Sequence, residues 1–182
     1  MNPHEAPSCE RELSRLYAGL AASFRYPADD RASMLAPSDY LRCFDPAVGA
    51  AAISLHESSY VSGEAGAVLE ELVRFYEYFG LQRQPEAPLP DHLSVELEFM
   101  HFLCELEAAA GPGRSADAVR CAQRDFLDRH LLRLAERVAE RGSALELAAA
   151  RVAIAACGAT VRHHRELLGQ RRKSASATQA PG

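Results

Sequence analysis

The feature that most constrains this chain is where proline and glycine fall around residues 80–113. Pro85, Pro88 and Pro90 crowd into residues 82–90, and Gly111-Pro112-Gly113 follows, while Asp91 to Ala110 contains neither residue type. Proline fixes its own φ and lacks an N–H, so a helix starts naturally just after Pro90. It must end at the Gly-Pro-Gly run. The spacing therefore predicts a helix from His92 to about Ala109, entered through a Pro-rich loop. Asp91 is placed to cap it, accepting from first-turn N–H groups and complementing the positive end of the dipole. A cap accounts for Asp91 alone. His92, Glu96 and Glu98 crowd the same element beyond what a helix start requires.

The rest of the chain reads as helix as well. Leu13, Leu16, Tyr17, Leu20 and Phe24 recur at helical spacing from a cap at Ser8, and Tyr26-Pro27 ends that helix. Short helices are expected around 31–43 and 46–59, broken by Pro37 and Pro46. Glu64 to Gly80 forms an amphipathic helix with Val68, Leu69, Leu72, Phe75, Tyr76 and Phe79 on one side and Gly80 as its stop. Residues 115–141 form a long helix with Val119, Ala122, Phe126, His130, Leu134 and Val138 as one stripe. Ser143 is expected to cap a final helix at about 144–168, packed through Leu145, Ala148, Val152, Ala155 and Ala159. No strand pattern and no repeat is present. The expectation is an all-α, single-domain helical bundle: a flexible leader at 1–7, the helical domain at 8–169 and a disordered tail at 170–182.

Composition agrees, being rich in alanine and leucine, sparse in β-branched residues and free of tryptophan. At 182 residues the chain suits one domain with a sizeable core. Five cysteines (Cys9, Cys43, Cys104, Cys121, Cys157) are odd in number and none forms a CxxC pair. That disfavours a disulfide framework or zinc knuckle. Cys104, Cys121 and Cys157 are expected as small buried hydrophobes. No leader-like or membrane-spanning apolar run appears, which points to a soluble, unexported chain.

Charge is unevenly spread. Residues 57–113 hold two basic and eleven acidic side chains, for −9, whereas residues 114–182 stand at +6 and residues 1–56 at −2. An acidic block repels nucleic acid and suits a cationic partner; a solvated helix face explains it equally well.

Catalytic constellations are thin. Glu98 and His101 form one ExxH spacing, but di-iron helical proteins need two, plus two further glutamates. His92 and Glu96, four apart, can pair on a helix surface. His163-His164 suits a helix C-terminus. His130, on an apolar stripe, reads either as a satisfied core histidine or as the partner of a carboxylate such as Asp91 or Glu96. No phosphate loop, nucleophile elbow or HExxH occurs. Tyr60, Tyr76 and Tyr78 lie beside loops, where they either close the core or line a peptide groove.

Four segments in order carry a family resemblance: Leu16-Tyr17 with Tyr26-Pro27, LVRFYEYFGL (72–81), LPDHLSVELEFMHFL (89–103) and QRDFLDRHL (123–131). Together they resemble the TorD/NarJ-type cytoplasmic chaperones of molybdenum enzymes, most closely those serving the type II dimethyl sulfoxide reductase group. The resemblance implies an all-helical fold and no chemical turnover. It also implies a cytoplasmic partner for an apo catalytic subunit, often gripped by its leader peptide. The chaperone would bind no cofactor stably, while its client receives bis-molybdopterin guanine dinucleotide. Molybdenum cofactor biosynthesis proteins are further implied partners; nucleic acid and membrane are not, and the state is monomer or dimer. Asp91, His92, Glu96 and Glu98 match the family motif, His130 matches the later one, and Tyr76 falls in the matched helix.

The expected client-binding set is thus Tyr60, Tyr76, Asp91, His92, Glu96, Glu98 and His130. Glu96 and Glu98 would meet a cationic leader, with Asp91 and His92 organising the junction. The alternative is a helical metal-dependent enzyme using His92, Glu98 and His101.

Overall fold

The computed structural model describes residues 9–27, 35–63, 65–111 and 113–178, with side chains as far as residue 172. The expected leader (1–7), the Ser8 cap, Glu64, residues 31–34 and residues 179–182 lie outside the described residues. Seven α-helices are described: α1 (Cys9–Phe24), α2 (Pro37–Phe44), α3 (Ala65–Tyr78), α4 (Leu93–Ala110), α5 (Arg114–Phe126), α6 (Leu132–Gly142) and α7 (Ala148–Thr178). A 3-10 turn (Glu57–Tyr60) precedes α3, and a π-turn (Leu127–Leu131) joins α5 to α6. No strand occurs among the described residues, so the all-α expectation holds.

The helix after the Pro-rich loop is the centre of the molecule. It packs along α1 on one flank and against α5 on the other. With neighbours on both sides, α4 buries Leu93, Leu97, Phe99, Met100, Leu103 and Cys104 around most of its girth. α1 presents a single stripe to it, Leu13, Tyr17, Leu20, Ala21 and Phe24, at helical spacing. α7 closes the bundle against α6 and α1.

The expected helix at 46–59 is instead a turn followed by an extended strap. A Cβ at Gly49 would sit 2.0 Å from the Arg42 carbonyl oxygen, so this tight return over α2 requires glycine. Beyond it, Ile53 N–H bonds Cys43 O at 2.8 Å, Leu93 N–H bonds Leu55 O at 2.8 Å, and Glu57 N–H bonds Asp91 O at 2.9 Å. The strap is therefore tied to the head of α4 through one antiparallel bridge, His56 with His92.

Other boundaries move as well. The helix expected at 115–141 is interrupted by the π-turn, across which Phe126, Leu127, His130 and Leu131 are all buried. Ser143 does not start the last helix: its hydroxyl donates to Glu140 O at 2.8 Å and it ends α6. The buried face of α7 is Ala150, Ala153, Ile154, Cys157, Val161, His164 and Leu168, which leaves Val152, Ala155 and Ala159 outside. An alanine-rich helix offers too little contrast between faces to set its own phase.

α7 also continues through residue 178, against the expectation of disorder from 170. Arg171 holds it there, bridging Glu10 on α1 at 2.7 Å and Glu107 on α4 at 3.1 Å. His163-His164 is consequently not at a helix end. His164 is buried, accepting from the Tyr17 hydroxyl at 3.0 Å. Burial first, then the charges of Arg171 and His163, pulls its pKa down to about 4 against the opposing pull of Glu10. Cys104 and Cys157 are buried as expected, but Cys121 is exposed.

Candidate functional site

The Pro-rich loop is braced rather than loose. Gly80 ends α3 with φ +73, a left-handed conformation open to glycine. The Arg83 guanidinium then folds back on the loop, donating to Ala87 O at 2.6 Å and Pro88 O at 3.1 Å. From α3 the Tyr76 hydroxyl donates to Pro90 O at 2.9 Å, and His92 N–H bonds Leu89 O at 3.0 Å. The loop thus arrives at α4 in one fixed geometry.

At the junction, His92 and not Asp91 caps the helix. His92 Nδ1 accepts from Ser94 N–H at 3.2 Å and lies 2.8 Å from the Ser94 hydroxyl. Burial, reinforced by the neighbouring His56 and opposed by Asp91, lowers the His92 pKa to about 4, so it caps as the neutral ring. Asp91 has turned the other way. Its carboxylate accepts from His56 Nδ1 at 3.0 Å and from Ser58 N–H at 3.1 Å, pinning the strap. Burial works to raise its pKa, but the bonds from His56 and Ser58 outweigh it and the pKa is lowered.

Further along, the strap is held a second time. His130 in the π-turn donates from Nδ1 to Glu57 Oε2 at 2.9 Å, with Nε2 3.5 Å from Glu71 Oε1. Glu71 is itself paired with Arg129. His130 therefore meets a carboxylate, but that of Glu57 rather than Asp91 or Glu96. Between these anchors lies Glu96, 0 % exposed, neither of whose oxygens has a hydrogen-bond partner among the described residues. Burial first, then the charges of Glu57 and Asp91, raises its pKa well above the carboxylate range. The same three acids, after burial, raise that of Tyr76. The result is a sealed polar seam under the loop.

On the open side of Tyr76 lies an apolar groove of about 700 Å³. Its floor is Val95, Phe99 and Phe102 on α4, and its walls are Tyr26 beyond α1 and the Leu81–Pro90 loop. Glu98 lies in it, paired with Arg25. Tyr26 is half-exposed and its ring meets Tyr40 edge-on at 5.5 Å.

The expected site residues thus separate into three places. Tyr76 and Glu98 line the groove; Asp91, His92, Glu96 and His130 belong to the seam beneath it. Tyr60 lies elsewhere, donating to Ser54 O at 2.6 Å and sharing a cleft with Arg137 and Glu140. Glu96 cannot present a charged surface while it is sealed. Several acids of the block are paired within the chain, Glu71 with Arg129, Glu98 with Arg25 and Glu107 with Arg120 and Arg171. Several participants were not singled out from sequence, among them His56, Arg83, Arg25, Tyr26 and Glu57. Arg25 and Tyr26 follow the first helix, where Tyr26-Pro27 was the available signal; Glu57 was hidden within the misassigned helix.

Nothing in the geometry favours the metal alternative. His92 bonds Ser94, Glu98 pairs with Arg25, and His101 Nδ1 lies 2.8 Å from the Ser14 hydroxyl on α1. Among the described residues, no group of three or more His, Cys, Asp or Glu is arranged to hold a metal ion.

An apolar groove walled by a braced loop has the geometry of a binding surface. The chain belongs to the nitrate reductase delta subunit family, which it matches over residues 7–140, so that α7 lies beyond the matched part. It is 41 % identical over 137 residues to the selenate reductase assembly chaperone protein of Thauera selenatis, covering 73 % of this chain and 70 % of that one. It is 38 % identical over 133 residues to the chlorate reductase assembly chaperone protein of Ideonella dechloratans, covering 63 % and 68 %. Identity to the dimethyl sulfide dehydrogenase assembly chaperone protein of Rhodovulum sulfidophilum is 36 % over 136 residues, 71 % and 47 % of the two chains. These relatives are named as assembly chaperones, not as catalysts.

Proposed function

We propose that this chain is an assembly chaperone for a molybdenum enzyme of the type II dimethyl sulfoxide reductase group. It binds the apo catalytic subunit in the cytoplasm, in many cases by its leader peptide, and keeps it open until bis-molybdopterin guanine dinucleotide has been inserted. The chaperone carries no cofactor of its own and performs no chemistry.

The observation that supports this most is the groove between Tyr26 and the Pro-rich loop. Its apolar floor is partly open to solvent at Val95 and Phe102 above the buried Phe99, and its walls are fixed by Arg83, Tyr76 and the seam below. A preformed apolar trough with a few polar groups suits a peptide segment, because little ordering entropy is lost on the receiving side. Tyr76 and Glu98 contact the client, while Asp91, His92, Glu96 and His130 act by positioning the loop and strap. Tyr60 contributes to a separate face.

Affinity-tagged protein expressed in its native host, followed by mass spectrometry of what co-purifies, tests the assignment. The expected partner is a molybdenum enzyme catalytic subunit recovered without its cofactor. Recovery only of the fully loaded enzyme, or of no such subunit, contradicts it.

A further inference from the structure

Glu98 is one of two carboxylates lining the groove and the one on its helical floor; the other, Glu86, sits on the loop. Two arginines line it as well. Arg83 is committed to the carbonyls of Ala87 and Pro88. Arg25 instead reaches in from the bend after α1 and lays its guanidinium on Glu98. The chain already shows, with its own side chain, that a guanidinium fits against Glu98 beside the groove's aromatic residues.

That contact is built to exchange. The two side chains are 58 % and 41 % exposed, and an ion pair so open to water is held weakly. The backbone beneath Arg25 is fixed on either side. Phe24 is buried in the core with its carbonyl accepting from the Tyr40 hydroxyl at 2.9 Å, and Tyr26 packs edge-on against Tyr40. The Arg25 side chain can therefore leave Glu98 without any movement of the fold.

Resting on the groove being the client site, we propose that Arg25 is a built-in competitor for an arginine of the docking segment. The occupant is a client segment carrying an arginine flanked by apolar side chains. Its guanidinium takes the Glu98 carboxylate, Arg25 turns out to solvent, and the apolar neighbours settle on Phe99 and Phe102. A purely apolar segment leaves the Arg25–Glu98 pair standing in the groove and gains only part of the surface. A lysine gives a point charge where the planar fork of arginine can bond both carboxylate oxygens. The internal pair is thus a selectivity device, raising the threshold for segments that lack either the charge or the apolar area.

Panning of a random dodecapeptide phage library on the full chain tests this, using wild type, Arg25→Gln, Glu98→Gln and the groove-filling Val95→Trp. Circular dichroism confirms that each is folded. Peptides selected on Arg25→Gln should be enriched in arginine next to apolar residues and should bind wild type about fivefold more weakly. Glu98→Gln should cost those peptides about tenfold, and exchanging their arginine for citrulline should abolish the difference between Arg25→Gln and wild type. Peptides that are blocked by Val95→Trp but show no arginine enrichment, or that bind wild type and Arg25→Gln equally, overturn the competitor while leaving the groove as the client site. Selected peptides indifferent to Val95→Trp overturn both.

Discussion

His56 Nδ1 lies 3.0 Å from Asp91 Oδ1, joining two residues 35 apart in the chain and fastening the strap to the head of α4. The partner oxygen, Asp91 Oδ2, accepts from Ser58 N–H at 3.1 Å, and the Asp91 carbonyl accepts from Glu57 N–H. One residue at the end of the Pro-rich loop thus decides both how α4 begins and where residues 53–60 lie.

Replacing Asp91 by Ala leaves the Ser58 N–H and the His56 ring without their acceptor and should destabilise the protein by about 3 kcal/mol. Because the native pKa of Asp91 is lowered from 3.8, its contribution is present above that value and is lost as pH falls through the native one. Urea unfolding of Asp91→Ala against wild type measures this. A loss below about 1 kcal/mol would mean that the backbone bonds alone hold the strap.

Glu96 should behave in the opposite sense. Its native pKa is raised, so the stability of the wild type is fully present below the unfolded pKa of 4.5 and declines as pH rises through the native value. Glu96→Gln removes the cost of burying that charge and should be more stable than wild type by about 1–2 kcal/mol at neutral pH, with the gap widening as pH rises from the unfolded pKa towards the native one. Thermal melts across pH check the trend. A variant less stable than wild type at every pH would show that the carboxylate has a stabilising partner.

His92 and His164 both have native pKa values of about 4 against 6.5 in the unfolded chain. The unfolded state therefore takes up more protons, and the stability each contributes falls as pH drops from 6.5 towards 4. Tyr17→Phe removes the hydroxyl that His164 accepts from and should cost about 1–2 kcal/mol. His164→Asn should flatten part of the acid dependence, which denaturant titrations at several pH values will resolve. An unchanged acid profile contradicts the buried neutral histidine.

Metal removal should do nothing. Dialysis of the purified protein against a chelator is expected to leave the melting temperature unaltered, because His92, Glu98 and His101 sit in three separate environments. A drop restored by zinc would reinstate a metal site.

Much of the fold was legible because prolines, glycines and strong apolar stripes carry local information. The ends of α3 and α4 fall within two residues of those expected, and the Pro-rich loop is where its prolines put it. What escaped was non-local. Asp91 has the chemistry of a cap, but the strap offered its carboxylate two donors and left the cap to His92. The acidic block looked like a surface because its arginine partners, Arg25, Arg120, Arg129 and Arg171, are distant in sequence. The face of α7 was misplaced because alanine on either side buries similar area. The groove itself unites a bend after α1, the tail of α3, the loop and α4, and no single segment announces it.

Hydrogen–deuterium exchange of the chain, free and bound to the apo catalytic subunit that co-purifies with it, tests the central claim most directly. The account predicts new protection at the groove, in residues 24–26 and 81–102, with α6 and the outer face of α7 unchanged. Protection confined to α6 and α7, with the groove exchanging as in the free protein, would contradict it.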